Sequence, residues 1–222
     1  MAEVVVYLGL TPYKTERSRC THCKRSIAKA MQVSEKIKSI ETLSAACEEM
    51  RAKGRSIALA HGTFDLLHLG HVRHLREAKL GSDLLVVTLT ADAFVNKGPG
   101  RPVFTGLQRA EMLAALDFVD LVAINHAPTA EPAIHAVRPD VYIKGSDYVD
   151  ADKDITGKIV DEQRAVESHG GCIQFTDDIT FSSSELINRH LGVFDPSVQA
   201  YLDGVRGSPG LDALIDLVNR VA

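Results

Sequence analysis

Apolar and polar positions alternate along this chain in blocks that change period. Ser56 to Ala60 (SIALA), Leu84 to Thr90 (LLVVTLT), Asp120 to Asn125 (DLVAIN), Val141 to Gly145 (VYIKG) and Cys172 to Thr176 (CIQFT) are short and apolar. Such runs suit strands buried on both faces. Between them lie stretches with helical spacing. Leu69 to Leu80 is followed by Gly81, placed as a C-terminal cap. Thr105-Gly-Leu-Gln108 has capping-box spacing and opens a helix carrying Arg109, Met112, Leu113 and Leu116. A short helix is expected around Ala130 to Val137 and another over about Ile155 to Ser168, stopped by Gly170-Gly171. Ser182-Ser-Ser-Glu185 forms a second capping box, for a last helix through Leu191.

Strands alternating with helices imply βαβ units. The expected fold is therefore α/β: a Rossmann-like, five-stranded parallel sheet with helices on both faces. Ligands of such sheets bind beyond the carboxyl ends of the strands, where strand order reverses. Three regions differ in texture. Residues 1–36 form a basic N-terminal appendage that includes Cys20 and Cys23, residues 37–194 carry the alternating pattern, and residues 195–222 read as a linker and a C-terminal helix.

Composition changes this picture little. The 222 residues are 45% hydrophobic and 24% charged with net charge −4, ordinary globular usage that speaks against a general nucleic-acid binder. No apolar run has the roughly 20 residues of a membrane helix. Neither a signal sequence nor a disulfide framework is evident, so a soluble cytoplasmic protein is expected. Cys20-x-x-Cys23 is half a zinc knuckle without a second half, and reads as part of a basic arm that packs on the domain or a partner.

The unusual chemistry lies where the first strand gives way to a helix. Residues 61–75 hold His61, His68, His71 and His74, four of the nine histidines in the chain. His68 and His71, three apart in a first helical turn, can share a face. Gly70 leaves backbone bare between them, and the helix N-terminus offers amides and a positive dipole end to a phosphate. Two imidazoles there can donate to charge developing on phosphorus. Asp65 could orient a histidine or help hold Mg²⁺. Two blander alternatives are surface histidines and a zinc site from His68, His71 and His74, although steps of three drift around a helix and no nearby Cys or Glu completes a tetrahedral set.

GTFDLLHLGH resembles the HxGH region of the nucleotidyltransferase superfamily, which includes the glycerol-3-phosphate and choline-phosphate cytidylyltransferases. NKGPGRPV (96–103), QRAEMLAALDFVDLV (108–122), VYIKGSDY (141–148) and TFSSSELI (180–187) are similar to a nearer relative, the adenylyltransferase domain of bacterial ADP-heptose synthesis enzymes. Together the segments run in order from about Ile37 to Leu191.

The resemblance implies transfer of a nucleotidyl group, AMP from ATP, to a phosphorylated sugar such as heptose 1-phosphate, with pyrophosphate released and Mg²⁺ as cofactor. His68, His71 and Lys97 would be catalytic. Gly62, Thr63, Phe64, Asp65, Gly70, Arg101, Arg109, Lys144, Gly145, Asp147, Tyr148, Ser182, Ser183 and Ser184 would line the nucleotide. Lys97 is otherwise an ordinary loop lysine, Lys144 an ordinary strand end, and the serines plain helix caps. Asp177 and Asp178 stand where the glycerol-3-phosphate enzymes place an arginine, which favours ATP over CTP. The alternatives are a cytidylyltransferase for an alcohol phosphate, phosphonate or sugar phosphate, and a non-catalytic nucleotide-binding module of a larger protein. The resemblance further implies a homodimer and a fused or partner sugar kinase.

Overall fold

The computed structural model describes residues 32–97, 100–145, 159–176 and, near the C-terminus, 197, 200, 201 and 204. Six parallel strands form one sheet: β1 (Ile37–Lys38), β2 (Ile57–Gly62), β3 (Leu84–Thr90), β4 (Leu121–Asn125), β5 (Val141–Gly145) and β6 (Cys172–Thr176). Their order is β1-β4-β3-β2-β5-β6. The expected sheet therefore gains a strand. β1 pairs only Ile37 and Lys38 with Val122 and Ala123, too short a stretch to show a period in sequence.

The helices are α1 (Ile40–Ala52), α2 (Leu69–Leu80), α3 (Gly106–Ala114), α4 (Glu131–Val137) and α5 (Ile159–Glu167). Side-chain alternation on the strands sorts them onto two faces. Ala58, Ala60, Leu85, Val87, Leu89, Val122 and Ile143 meet Leu75 and Ala78 of α2 and Ala110, Leu113 and Ala114 of α3. Ile57, Leu59, Leu84, Val86, Ala123 and Tyr142 meet Leu43 and Cys47 of α1, Ile134 and Val137 of α4, and Ala165 and Val166 of α5. Both faces are covered, which is why the strands read as largely apolar runs and not as strict alternation. Helix α1 was not marked by the sequence pattern. Its Ser39 cap accepts the Thr42 N–H at 3.2 Å, and Leu43 and Cys47 are fully buried.

The Thr105 capping box forms as expected: Thr105 Oγ1 accepts the Gln108 N–H and the Gln108 side chain accepts the Thr105 N–H at 3.0 Å. Ahead of β1, Val33 packs on the core and Lys36 Nζ donates to the Leu116 carbonyl at 3.0 Å. The expected helix 182–191 and the C-terminal helix lie outside the described residues, as does the Cys20-Cys23 segment.

Strand order reverses between β2 and β5. Chain connections leave these neighbouring strands in opposite directions, opening a crevice beyond Gly62 and Gly145. At the opposite end of β5 and β6, Gly171 lies against the Pro139 carbonyl. A β-carbon at Gly171 would collide with that oxygen and press on Val166 and the Asp140 carbonyl, whereas one at Gly81 would meet open space. Gly171→Ala should therefore lower unfolding free energy by about 3 kcal/mol, the upper range for overpacking. Gly81→Ala should change it by less than about 0.5 kcal/mol, as at an open surface site; urea denaturation of the two variants checks both.

Candidate active site

The loop from β2 to α2 builds the site. Phe64 takes a left-handed φ of 49°, rare for a bulky residue and of the kind found at functional turns. Its ring folds back beneath Gly62, where a β-carbon would approach it to 3.2 Å, and meets the His71 ring edge-on at 5.2 Å. Gly62 is thus glycine because Phe64 occupies the space beside it. The His68 and His71 rings stack at 3.9 Å with 25° between their planes. His68 is the N-cap of α2 but caps no amide with its side chain, and the first turn holds no acidic residue. The stack therefore lies beside a helix end whose leading amides and positive dipole have no acid in that turn to neutralise them. Gly70 is buried between the two histidines.

Burial, then the neighbouring His68, His74 and Lys97, lowers the His71 pKa to about 3, against a weaker hydrogen bond with the Leu66 backbone. His71 is therefore neutral near pH 7, and its Nδ1 is buried with no hydrogen-bond partner among the described residues. His74 and His61 have different tasks. His74 Nδ1 lies 2.6 Å from Thr176 Oγ1 at the end of β6, and His61 Nδ1 lies 2.9 Å from Thr88 Oγ1. No group of three or more His, Cys, Asp or Glu suited to a metal ion occurs among the described residues. The zinc alternative has no support there.

Lys97 lies within electrostatic reach of His71 and of Arg101. Lys97 is exposed as a residue, yet desolvation and the nearby Arg101 lower its ammonium pKa, with Asp65 opposing. Arg101 is buried. Its Nε donates to Asp65 at 2.5 Å, while Nη1 and Nη2 have no partner among the described residues.

Two expected nucleotide residues are otherwise engaged. Arg109 is fully buried: Nε donates to the Phe104 carbonyl at 3.0 Å, Nη1 to the Thr63 carbonyl, and Nη2 to the Thr90 carbonyl at 2.9 Å and to Asp92. It ties the ends of β2 and β3 to the loop before α3, so its charge serves the frame and not a phosphate. Lys144 pairs with Glu162 of α5 at 2.6 Å, and Tyr142 donates to the same carboxylate oxygen at 3.2 Å. Its charge is neutralised within the opposite face of the sheet. Neither partner set was visible in sequence, since the acceptors lie far along the chain. Gly145 ends β5 with no atom of the described residues within 4 Å of where a β-carbon would sit, and Thr63 is fixed through its carbonyl. Asp147, Tyr148, Ser182, Ser183 and Ser184 lie outside the described residues.

A family model described as cytidylyltransferase-like matches residues 59–189. The chain is similar to the bifunctional protein HldE of Syntrophotalea carbinolica, 36% identical over 169 residues, covering 75% of this chain and 33% of that protein. It is also similar to the HldE of Geobacter metallireducens, 38% identical over 165 residues, covering 72% and 32%. The chain thus spans about a third of the length of these relatives. A solved lipopolysaccharide core biosynthesis protein from Thermoplasma volcanium is 26% identical with a TM-score of 0.46, over 58% of this chain and 100% of that one.

A histidine with a folded pKa near 3 stays neutral where the unfolded chain, titrating near 6.5, takes up a proton. The stability His71 contributes is therefore complete above about pH 6.5 and is lost as pH falls towards 3, at up to about 1.4 kcal/mol per unit. Denaturation from pH 7.5 to 4.5 should show a shallower acid slope for His71→Gln than for the unsubstituted chain. Arg109→Gln, which takes the guanidinium donors from the Thr63, Thr90 and Phe104 carbonyls, should lower unfolding free energy by at least about 2 kcal/mol in the same measurement at pH 7.5.

Proposed function

Because the chain belongs to the cytidylyltransferase-like family, we propose that it transfers a nucleotidyl group, AMP from ATP, to a phosphorylated sugar such as heptose 1-phosphate. The observation that carries this reading is the stacked His68–His71 pair at the N-terminus of α2, with Lys97 in electrostatic reach of both His71 and Arg101, whose buried Nη groups have no partner among the described residues. Similarity to the bifunctional HldE proteins supports the sugar phosphate as acceptor.

In the proposed reaction an acceptor phosphate oxygen attacks the α-phosphorus. A new P–O bond forms, the bond from the α-phosphorus to the β-bridging oxygen breaks, and pyrophosphate leaves with that electron pair. The protein supplies placement and neutralising charge. His68 and His71 hydrogen-bond the α-phosphoryl oxygens as their charge grows. A neutral His71 does so without fixing a net charge in the unliganded site. Lys97 and Arg101 balance the leaving pyrophosphate. The magnesium expected with ATP is proposed to arrive on the triphosphate. Asp65 does not fit as its ligand, because both carboxylate oxygens already accept hydrogen bonds, and no step is assigned to the ion.

The chain spans a third of relatives named bifunctional, and we read it as the nucleotidyl-transfer part of a system completed by a sugar kinase, fused or separate. A cytoplasmic homodimer is part of the same reading; no helix among the described residues is long and apolar enough to cross a membrane.

Pyrophosphate release with Mg²⁺, comparing ATP and CTP across sugar 1-phosphates and polyol phosphates, tests the proposal. Turnover is expected with ATP and a sugar 1-phosphate. Turnover with CTP alone would replace the donor, and nucleotide binding without release would favour a non-catalytic module. His68→Ala and His71→Ala should each lower kcat by about 10²–10³-fold, the scale for losing one transition-state donor, with a smaller change in nucleotide Kd.

A further inference from the structure

Asp65 sits within the proposed phosphate site, yet it is 1% exposed and fully engaged. Oδ2 accepts from Arg101 Nε, and Oδ1 accepts the Val103 N–H at 2.7 Å and the Phe104 N–H at 3.3 Å. A carboxylate holding three donors has little left for a cation. Arg101 is the complement: anchored at one nitrogen, it keeps two buried nitrogens without a partner among the described residues. Buried donors left open are costly unless a ligand fills them. A guanidinium pinned at Nε also has its plane fixed, so Nη1 and Nη2 present the rigid fork that matches two oxygens of a phosphate. Lys97 lies close enough to feel both residues.

We propose that Asp65 is a positioning residue, not a metal ligand: it aims the Arg101 fork at a substrate phosphate and reaches that phosphate only through Arg101. The inference rests on the nucleotidyl-transfer reading for the identity of the substrates. The phosphate belongs to either the nucleotide or the sugar phosphate, and the recognising chemistry is the same.

The test uses Asp65→Asn, Arg101→Gln, the double variant and Arg101→Lys in the full chain. Pyrophosphate release gives kcat, KM and the magnesium dependence, and calorimetry gives affinities for ATP and for the sugar 1-phosphate separately. Each single substitution should lower kcat/KM by at least about tenfold, the scale of one charge-assisted hydrogen bond. The double variant should be no worse than the poorer single one, with half-saturating magnesium unchanged in Asp65→Asn. Arg101→Lys keeps the charge but not the fork, and should resemble Arg101→Gln. Weakened ATP binding would assign the fork to the nucleotide, and weakened sugar-phosphate binding to the acceptor; either supports the proposal.

Multiplied losses in the double variant would overturn it. So would a raised magnesium requirement in Asp65→Asn that Mn²⁺ reverses, or wild-type behaviour of Arg101→Lys. If Asp65→Asn does not fold, the contrast of Arg101→Lys with Arg101→Gln decides. If the unsubstituted chain releases no pyrophosphate with any acceptor, the transfer reading fails, while calorimetry on the Arg101 variants still judges the fork.

Discussion

The buried guanidinium of Arg109 is the constraint on which this end of the molecule depends. Parallel strands bring their carbonyl ends together at one edge, and the chain leaving each strand must turn without stranding those oxygens. Arg109 gathers the Thr63, Thr90 and Phe104 carbonyls and closes the set with the Asp92 carboxylate. With Thr63 fixed, Phe64 adopts its left-handed turn, its ring sets the edge of His71, and Asp65 comes under Val103 and Phe104. One cation thus determines where the whole loop from β2 to α2 can go. Only a charge so fully matched is tolerated at that depth.

The sheet divides the remaining charge by face. Lys144 and Tyr142 converge on Glu162 among the helices α1, α4 and α5, so the end of β5 is electrically quiet there. The α2 side keeps Lys97, the open nitrogens of Arg101 and the end of the α2 dipole. Asp65 pairs with Arg101 through Nε, so among the described residues the Lys97 ammonium and the α2 dipole end are the positive groups left where strand order reverses. The dipole end and the Lys97 ammonium favour an anion at that point.

Much of the fold was legible because burial on both faces writes itself plainly. Ile57 to Ala60 and Leu84 to Val87 are apolar without interruption, and Thr105 and Gln108 announce a helix by local chemistry alone. What escaped was either too short or too distant. β1 has two residues, less than one period of a strand. α1 shows its core through Leu43 and Cys47 among polar neighbours, a faint stripe. Arg109 and Lys144 were read as ligand contacts because a cation at a strand or helix end looks the same whether it meets a phosphate or a distant partner. Thr63 lies 46 residues from Arg109, and no local pattern encodes that meeting. The histidine cluster was recognisable as a group, but not the division of labour within it: His68 and His71 stack, while His61 and His74 brace neighbouring strands.

The depressed basicity of His71 has a thermodynamic corollary. A polyanion settling beside this imidazole offsets the burial and the positive neighbours that keep it deprotonated, so proton and anion become mutually reinforcing ligands. By reciprocity, whatever affinity the anion gains from acidification equals the rise in basicity it confers on the ring. The native chain weakens over the same acidic range. For the phosphate proposed to bind there, acid would then tighten the hold on the ligand while loosening the fold, and the bound ligand would shelter the protein from acid.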